Sequence, residues 1–390
     1  MLSPINNNNN SRISVYTPCT APYIHAAIDA LESGWISNYG KYIQLASEKL
    51  CTLLGVKHCI LMANGTLATE ALLYSVKHKY PHVKDIYIAD CLFISPYNCA
   101  LRHFEPQNIH ILPIDFSTMN IATPDCLSHI KQGSILFVVH SMSYIVNVEA
   151  IHRLRPDLII IEDNCEGFLG EYEGIPTSGS KATLCSSISF YANKNITSGE
   201  GGAFLTNDDD VAKHIAKVYS HGMTSTRYIH DVCAWNFRMT NVQAALLYAQ
   251  LCDLDNIKKM KEDVFTRYHT LLSQVQGVQP LIDCANANAN AEYKSSHWMY
   301  AVHLTDTKGK TYEDIEHAMT DIRGIEIRPA FYSVKHHEHL KDVDMSLLDF
   351  TRTSPYVTII LPSSPLLTND EQTYIVEALK EVVYSSNNNA

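Results

Sequence analysis

What the chain lacks sets the first limits. No stretch of its 390 residues approaches the roughly 20 consecutive apolar residues that a membrane-spanning helix needs. The opening Met1–Asn10 is polar and lacks the charged-then-apolar order of a secretory leader. A cytoplasmic protein with no membrane partner is the expectation. The 11 cysteines include no C-x-x-C pair and follow no regular spacing, which argues against a disulfide framework or a zinc site and for reduced, mostly buried thiols. Positive charge is also short. Lys and Arg number 30 against 41 Asp and Glu, for a net charge of −11 with no focus, so a nucleic-acid backbone is repelled on average and nucleic acid is not expected as a partner. A free nucleotide stays open as a ligand, because a local pocket can overrule the global sign.

What is present is a globular composition, 46% apolar, enough at this length for a large core divided between a main and a smaller domain. Asn7–Asn10, the alternating Ala/Asn run Ala285–Ala291 and the closing Ser385–Ala390 carry too little apolar surface to offset the entropy of ordering, and read as tails and a surface loop. Between residues 21 and 206 short β-rich runs alternate with helical spacing, the pattern of a sheet covered by helices. The expected strands are His58–Met62, Asp85–Ala89, Ile109–Ile114, Ile135–Val139, Leu158–Glu162, Ser187–Tyr191 and Gly202–Leu205; their nearly continuous apolar runs suit parallel strands buried on both faces. Helices are expected over Pro22–Ser33, Ile43–Leu54 and Thr66–Lys79, the first two stopped by Gly34 and Gly55. One or two more should fill Thr240–Leu272. A strand at Met299–Leu304 and helices at Tyr312–Asp321 and Asn369–Val383 then suit a small α/β domain.

Three segments carry candidate chemistry. Asp163 closes the run from Leu158, and ligands of open α/β sheets sit beyond the carboxyl ends of strands; it reads either as a turn cap or as a carboxylate for a heterocyclic cation. Lys194 follows a β-run and precedes the glycine-rich Gly199-Glu200-Gly201-Gly202. It reads either as a surface lysine beside a hairpin or as a desolvated amine suited to Schiff-base chemistry. Asn64-Gly65-Thr66 lies between a strand and a helix, where it is either an ordinary N-cap or a phosphate cradle of backbone N–H groups and a hydroxyl.

Together these segments resemble the DegT/DnrJ/EryC1/StrS family of sugar aminotransferases, fold-type I pyridoxal-phosphate (PLP) enzymes. The resemblance runs from about Gly34 to Leu254, with a weaker tail at Leu361–Thr368. It is carried by Gly34-Trp35-Ile36-Ser37 with Gly40, by Asn64-Gly65-Thr66, by Leu92-Phe93-Ile94-Ser95 with Asn98, by Glu162-Asp163-Asn164-Cys165-Glu166, by Asn193–Gly202 and by Asn236–Ala245. The fold it implies is α/β, a mostly parallel sheet wrapped by helices in a large PLP-binding domain, residues 13–254, followed by a small C-terminal α/β domain, residues 255–384, between disordered tails at 1–12 and 385–390.

The resemblance also implies roles. Lys194 would hold pyridoxal 5'-phosphate as a Schiff base and later shuttle a proton; Asp163 would keep the pyridine nitrogen protonated. Gly65, Thr66 and Ser189 would bind the phosphate, with Asn236 reaching it from the partner subunit of a homodimer with shared sites. Phe93 would stack on the ring, unless it is a core aromatic. Glu166 stands where relatives vary between His, Gln and Glu, and a Glu is similar to enzymes that aminate C4 of a 4-keto-6-deoxy sugar, perosamine synthases among them; otherwise it is a solvated acid. Arg328-Pro329-Ala330-Phe331-Tyr332 resembles a stretch near the sugar nucleotide, whereas Lys335-His336-His337-Glu338-His339 departs from the family pattern. Its histidines have no spaced partner cluster, and no metal is expected. The implied activity is transfer of an amino group from an amino acid, glutamate in the first place, to a nucleotide-linked 4-keto-6-deoxyhexose. Amination at C3 and a non-catalytic PLP- or carbohydrate-binding protein are the alternatives; a sugar dehydratase of the family would carry histidine in place of Lys194.

Overall fold

The computed structural model describes residues 12–281, 293–351 and 354–384. The asparagine tract, the Ala285–Ala291 run and the Ser385–Ala390 tail lie outside them. Seven strands form the central sheet in the order His58–Met62, Gly202–Thr206, Thr183–Ser189, Ile159–Asp163, Ile135–Val139, Ile86–Ala89 and Ile109–Leu112. All run parallel except Gly202–Thr206, which is antiparallel to both its neighbours. The chain is thus an α/β protein with a mostly parallel sheet, and the apolar runs that signalled its strands are buried along their length at Ile86–Ala89 and Ile109–Leu112.

Helices cover both faces. Phe204 joins a core with helix Gly65–Lys79, while its neighbours Ala203 and Leu205 join another with helices Ile24–Glu32, Lys41–Leu54 and Asn241–Cys252, as the two-residue alternation of a strand requires. Helix Lys41–Leu54 ends as its sequence predicts, on Gly55 in the left-handed region. A second, antiparallel sheet of Val278–Pro280, Tyr300–Leu304, Val357–Leu361 and Arg328–Pro329 shares a core with helices Leu254–Leu272 and Asn369–Tyr384. Among the described residues no helix is long and apolar enough to cross a membrane.

Several boundaries differ from expectation for identifiable reasons. The strand expected at Ser187–Tyr191 is Thr183–Ser189: hydroxyl side chains at Thr183 and Ser186 interrupt the apolar run that would have marked residues 183–186. Pro113, which has no N–H to give a ladder, separates Ile109–Leu112 from the short strand Ile114–Asp115. The long helical pattern from Thr240 is two helices parted at Asp253. The helix at Tyr312 keeps α geometry to Glu316 and then widens into a π-helical turn, His317–Ile322.

The sheet brings the carboxyl ends of its parallel strands to one edge, and the reversed strand presses against that edge. A Cβ on Gly202 would lie 2.5 Å from the carbonyl oxygen of Asn64 and 3.0 Å from the Gly65 nitrogen, the backbone that opens helix Gly65–Lys79. Gly202→Ala is therefore expected to destabilise the chain by roughly 3 kcal/mol, since backbone cannot step aside as a side chain can. Gly55→Ala meets open space and only a left-handed φ of 67°, and should cost about 1 kcal/mol. Urea denaturation of the two variants checks the contrast.

Candidate active site

Asp163 is the last residue of strand Ile159–Asp163, paired in register with Val139 on one side and Ser187 on the other. Its side chain is buried. Oδ1 accepts the N–H of Cys165 at 2.9 Å, so the turn-capping reading is fulfilled. Oδ2 accepts the hydroxyl of Thr69 at 2.9 Å, and that hydroxyl also lies 3.2 Å from Ser187 Oγ. Thr69 stands one turn into helix Gly65–Lys79, so the carboxylate ties the sheet edge to the start of that helix. No lysine, arginine or histidine of the described residues forms an ion pair with Asp163. A buried carboxylate satisfied only by neutral donors is a strong attractor for a cation.

The helix start is shaped to approach a ligand closely. Asn64 is its N-cap, taking the N–H of Leu67 at 2.9 Å, and the leading N–H groups of a helix have no partner within it. Thr66 is exposed, one residue inside the helix rather than at the cap. Gly65 is held against Ser189: a Cβ there would fall 2.6 Å from Ser189 Cβ and 2.8 Å from its Oγ. Gly65 and Ser189 therefore meet at one place beside Thr66 in the chain, bringing N–H groups together with the Ser189 hydroxyl and leaving no side chain at Gly65.

Lys194 sits in the connection between the antiparallel strands Thr183–Ser189 and Gly202–Thr206, so the glycine-rich turn is a wide hairpin end and the lysine rides on it. Its side chain is only 13% exposed, with Nζ 3.9 Å from Glu166 Oε1 and 4.0 Å from the centre of the Trp298 ring. This is not a surface lysine. The indole of Trp298 donates to the Asn193 carbonyl at 3.0 Å, and the Tyr16 hydroxyl donates to the Lys194 carbonyl at 3.0 Å.

Glu166 is not a solvated acid either. It is buried, with Oε2 accepting the N–H of Met142 at 3.0 Å. Burial pushes its carboxyl up to about 7, and the Lys194 ammonium only partly opposes this. The donor Met142 and its neighbour Ser143 both hold positive φ, 53° and 67°, an arrangement that needs external support. Hydrogen bonds between Ser143 and Ser295, Ser296 and Met299 supply it, and the Ser296 hydroxyl also reaches the Glu166 carbonyl at 2.6 Å.

The other expected residues lie further out. Phe93 is 53% exposed, which removes the core-aromatic alternative, and its ring leans on Phe331 at 6.0 Å. The Arg328–Tyr332 stretch thus comes beside Phe93, although Arg328 itself pairs with Glu326 at 3.1 Å. Asn236 is exposed, and its Oδ1 takes the N–H of Arg238 at 3.1 Å, with no hydrogen bond to Gly65, Thr66 or Ser189 of its own chain. From the histidine run, His339 reaches the segment that follows Phe93, lying 2.8 Å from Asn98 Oδ1. Thr69, Trp298, Tyr16 and Met142 belong to the site without any marker in the sequence around them. Of these only Trp298, one of 3 tryptophans, stands out by its own residue type.

Over residues 20–380 the chain matches the model of the DegT/DnrJ/EryC1/StrS aminotransferase family. It is 28% identical over 384 residues to a GDP-perosamine synthase of Escherichia coli O157:H7, covering 95% of this chain and 98% of that one. The fold is shared with Helicobacter pylori PseC, described as an aminotransferase in the biosynthesis of pseudoaminic acid, at a TM-score of 0.82 and 22% identity over 95% of this chain and 99% of that one. It is shared also with E. coli GDP-4-keto-6-deoxy-D-mannose-3-dehydratase with bound hydrated PLP, at 0.83 and 16% over 94% and 99%.

The raised carboxyl of Glu166 has a measurable consequence. The folded chain holds this proton more tightly than the unfolded chain, whose carboxyl titrates near 4.5. The stability it contributes is complete below that value and is lost as pH rises through about 7. Glu166→Gln cannot ionise. In urea titrations of cofactor-free protein, the variant should gain on the wild type by roughly 3 kcal/mol between acid and mildly alkaline pH. A constant gap across that window would show that Glu166 titrates normally.

Proposed function

The chain belongs to the DegT/DnrJ/EryC1/StrS aminotransferase family, and from that premise we propose that it carries an amino group from L-glutamate to C4 of a nucleotide-linked 4-keto-6-deoxyhexose, giving a 4-amino-4,6-dideoxy sugar nucleotide. The observation that carries the reading is the meeting of Lys194 and Glu166, 3.9 Å apart, a short step along the chain from the buried carboxylate of Asp163.

The residues present fit pyridoxal 5'-phosphate. Asp163 is a buried anion without a cationic partner among the described residues, suited to a protonated pyridine nitrogen, and the Gly65, Thr66 and Ser189 cluster would take the phosphate on N–H groups and hydroxyls. When bound, the cofactor supplies an electron sink for charge that develops at the substrate carbon. Lys194 Nζ is the amine that would hold it covalently and, once released, move the proton between substrate and cofactor carbons. Glu166, with a carboxyl near 7, can take a proton from that amine or return it at neutral pH. Phe93 would lie over the ring. Arg328, beside Phe331 in sequence, is our candidate for a contact to the sugar nucleotide.

Support for C4 rather than C3 comes from Glu166, the residue that resembles the C4-aminating members, and from the similarity to a GDP-perosamine synthase. A lysine at 194 supports amino transfer over dehydration. We further propose a cytoplasmic homodimer with shared sites. Ile24, Leu31, Trp35, Ile36 and Tyr39 are each more than half exposed on the first helix and the segment after it, as are Tyr228, Ile229 and Trp235 next to Asn236. Exposed apolar side chains in two such stretches favour a covered surface, and Asn236 would then reach the phosphate of the partner's site.

Borohydride treatment of the PLP-loaded protein should fix the cofactor to Lys194, read by peptide mapping; a label on another lysine would overturn the assignment. A turnover assay with glutamate and GDP-, UDP- or dTDP-linked 4-keto-6-deoxyhexoses, with the aminated carbon located by NMR, tests the substrate. Asp163→Asn keeps the size of the side chain but removes its charge. It should retain part of its cofactor binding while losing on the order of a hundredfold in the glutamate half-reaction, about 3 kcal/mol of barrier, in single-turnover absorbance. Conversion at the wild-type rate would reduce Asp163 to a turn cap.

A further inference from the structure

One buried cation has no part in the chemistry above. Lys261 lies within helix Leu254–Leu272 and is 2% exposed, yet it forms no ion pair with any described carboxylate. Burying an ammonium without a counter-charge is costly; a methionine would fill the same space without that penalty. What the ammonium gains is backbone. Its Nζ donates to the carbonyls of Trp298 at 2.9 Å and Ser363 at 2.5 Å, and stands over the ring of Tyr16, 4.9 Å from its centre. Three segments distant in sequence are joined at one atom.

Two of those segments lead straight to Lys194. Trp298 places its ring 4.0 Å from Lys194 Nζ and donates its indole N–H to Asn193. Tyr16 donates its hydroxyl to the carbonyl of Lys194. Ser363 completes the tie: its N–H donates to the Val15 carbonyl, next to Tyr16, and its hydroxyl accepts the N–H of Tyr300, two residues from Trp298. The Lys261 ammonium therefore touches both residues whose aromatic side chains reach Lys194 from other parts of the chain, Trp298 through its backbone carbonyl and Tyr16 through its ring.

We propose that Lys261 is a positioning residue for Lys194, holding Trp298 and Tyr16 so that the Lys194 amine stays against the indole face and beside Glu166. The inference rests on Lys194 being the cofactor-bearing lysine. Among the described residues, Tyr16 and His297 are titratable groups beside the ammonium. Burial lowers His297 to about 4, with the Lys261 charge as a second cause, so this histidine is neutral and does not compete for the carbonyls. Burial likewise lowers Lys261 itself to about 7, as expected for a cation held by carbonyls and a ring face instead of a carboxylate.

The test measures how fast Lys194 captures cofactor, a quantity that packing alone would not move. PLP is stripped from the protein and added back, the rise of bound-cofactor absorbance is followed, and borohydride labelling confirms the site of attachment. Lys261→Met should slow capture about tenfold and lower kcat by a similar factor, while the KM of each substrate stays within about twofold. Trp298→Phe should do the same. Because the two act in series, the double variant should also lose about tenfold; a hundredfold loss would mean independent effects and would overturn the proposal. Wild-type capture by Lys261→Met would overturn it as well. If Lys261→Met does not fold, Trp298→Phe decides alone, and capture at the wild-type rate refutes the positioning role. A borohydride label away from Lys194 would instead remove the reading on which the role rests.

Discussion

The carboxylate of Asp163 is the point on which the other parts of the site converge. It closes a strand in the interior of the sheet, and its two oxygens are claimed by different elements: one by the turn that carries Cys165 and leads to Glu166, the other by Thr69 of the helix that begins at Gly65. A buried anion is tolerated only when its lone pairs are met. Meeting them here fixes the distance between the cradle at the helix start and the turn bearing the acid. The neighbouring strand repeats the arrangement, since Ser187 bonds the same Thr69 hydroxyl and Ser189, two residues on, lies against Gly65. Cradle, carboxylate and acid are in this sense one rigid unit set by hydrogen bonds at the sheet edge.

Lys194 is held differently. It rides on a hairpin end, and what fixes it comes from residues remote in sequence: Tyr16 near the start of the chain, and Trp298 beside the second sheet. The strained pair Met142 and Ser143 is braced by the same segment that carries Trp298, through Ser295, Ser296 and Met299. Residues 295–299 thus support the acid and the amine together. That common support offers a physical reason for the buried lysine behind it, since a segment serving two groups 3.9 Å apart cannot drift without changing their separation.

The parts legible in the sequence were those encoded locally. Six of the seven sheet strands announce themselves by apolar runs, and Gly55 by its place after a helical pattern. Asp163, Lys194 and Gly65 could be found because each sits at the junction of a strand with a turn or helix, where ligands gather. The first half of Thr183–Ser189 was hidden because hydroxyl side chains at Thr183 and Ser186 leave only Leu184 and Cys185 between them as an apolar signal. Helix Asp209–Val218 carries a local signal of its own, an acidic start in which Asp208 caps the amides of Asp210 and Val211. Thr69, Tyr16 and Lys261 were illegible in principle, because nothing near them in sequence says what they will touch. Thr69 meets Asp163 across 94 positions and Tyr16 meets Lys194 across 178.

The motifs that signalled the family turn out to be of two physical kinds. The Glu162–Glu166 and Asn193–Gly202 segments carry the carboxylates and the amine of the candidate site, whereas the opening Gly34–Gly40 motif and the Asn236–Ala245 motif serve in part to hold each other. The side chain of Asn241 accepts the Tyr42 N–H at 3.0 Å and donates to the Trp35 carbonyl at 2.7 Å, and a Cβ on Gly40 would fall inside its amide group. A glycine is required at 40 because a buried amide occupies the space a side chain would take, with no ligand involved. The same contact leaves Trp35, Ile36 and Tyr39 on the outside, all more than half exposed. The opening motif thus spends its polar groups inward on Asn241 and leaves its large apolar side chains outward, which explains why Gly34–Gly40 and Asn236–Ala245 occur together without either supplying a carboxylate or amine to the site.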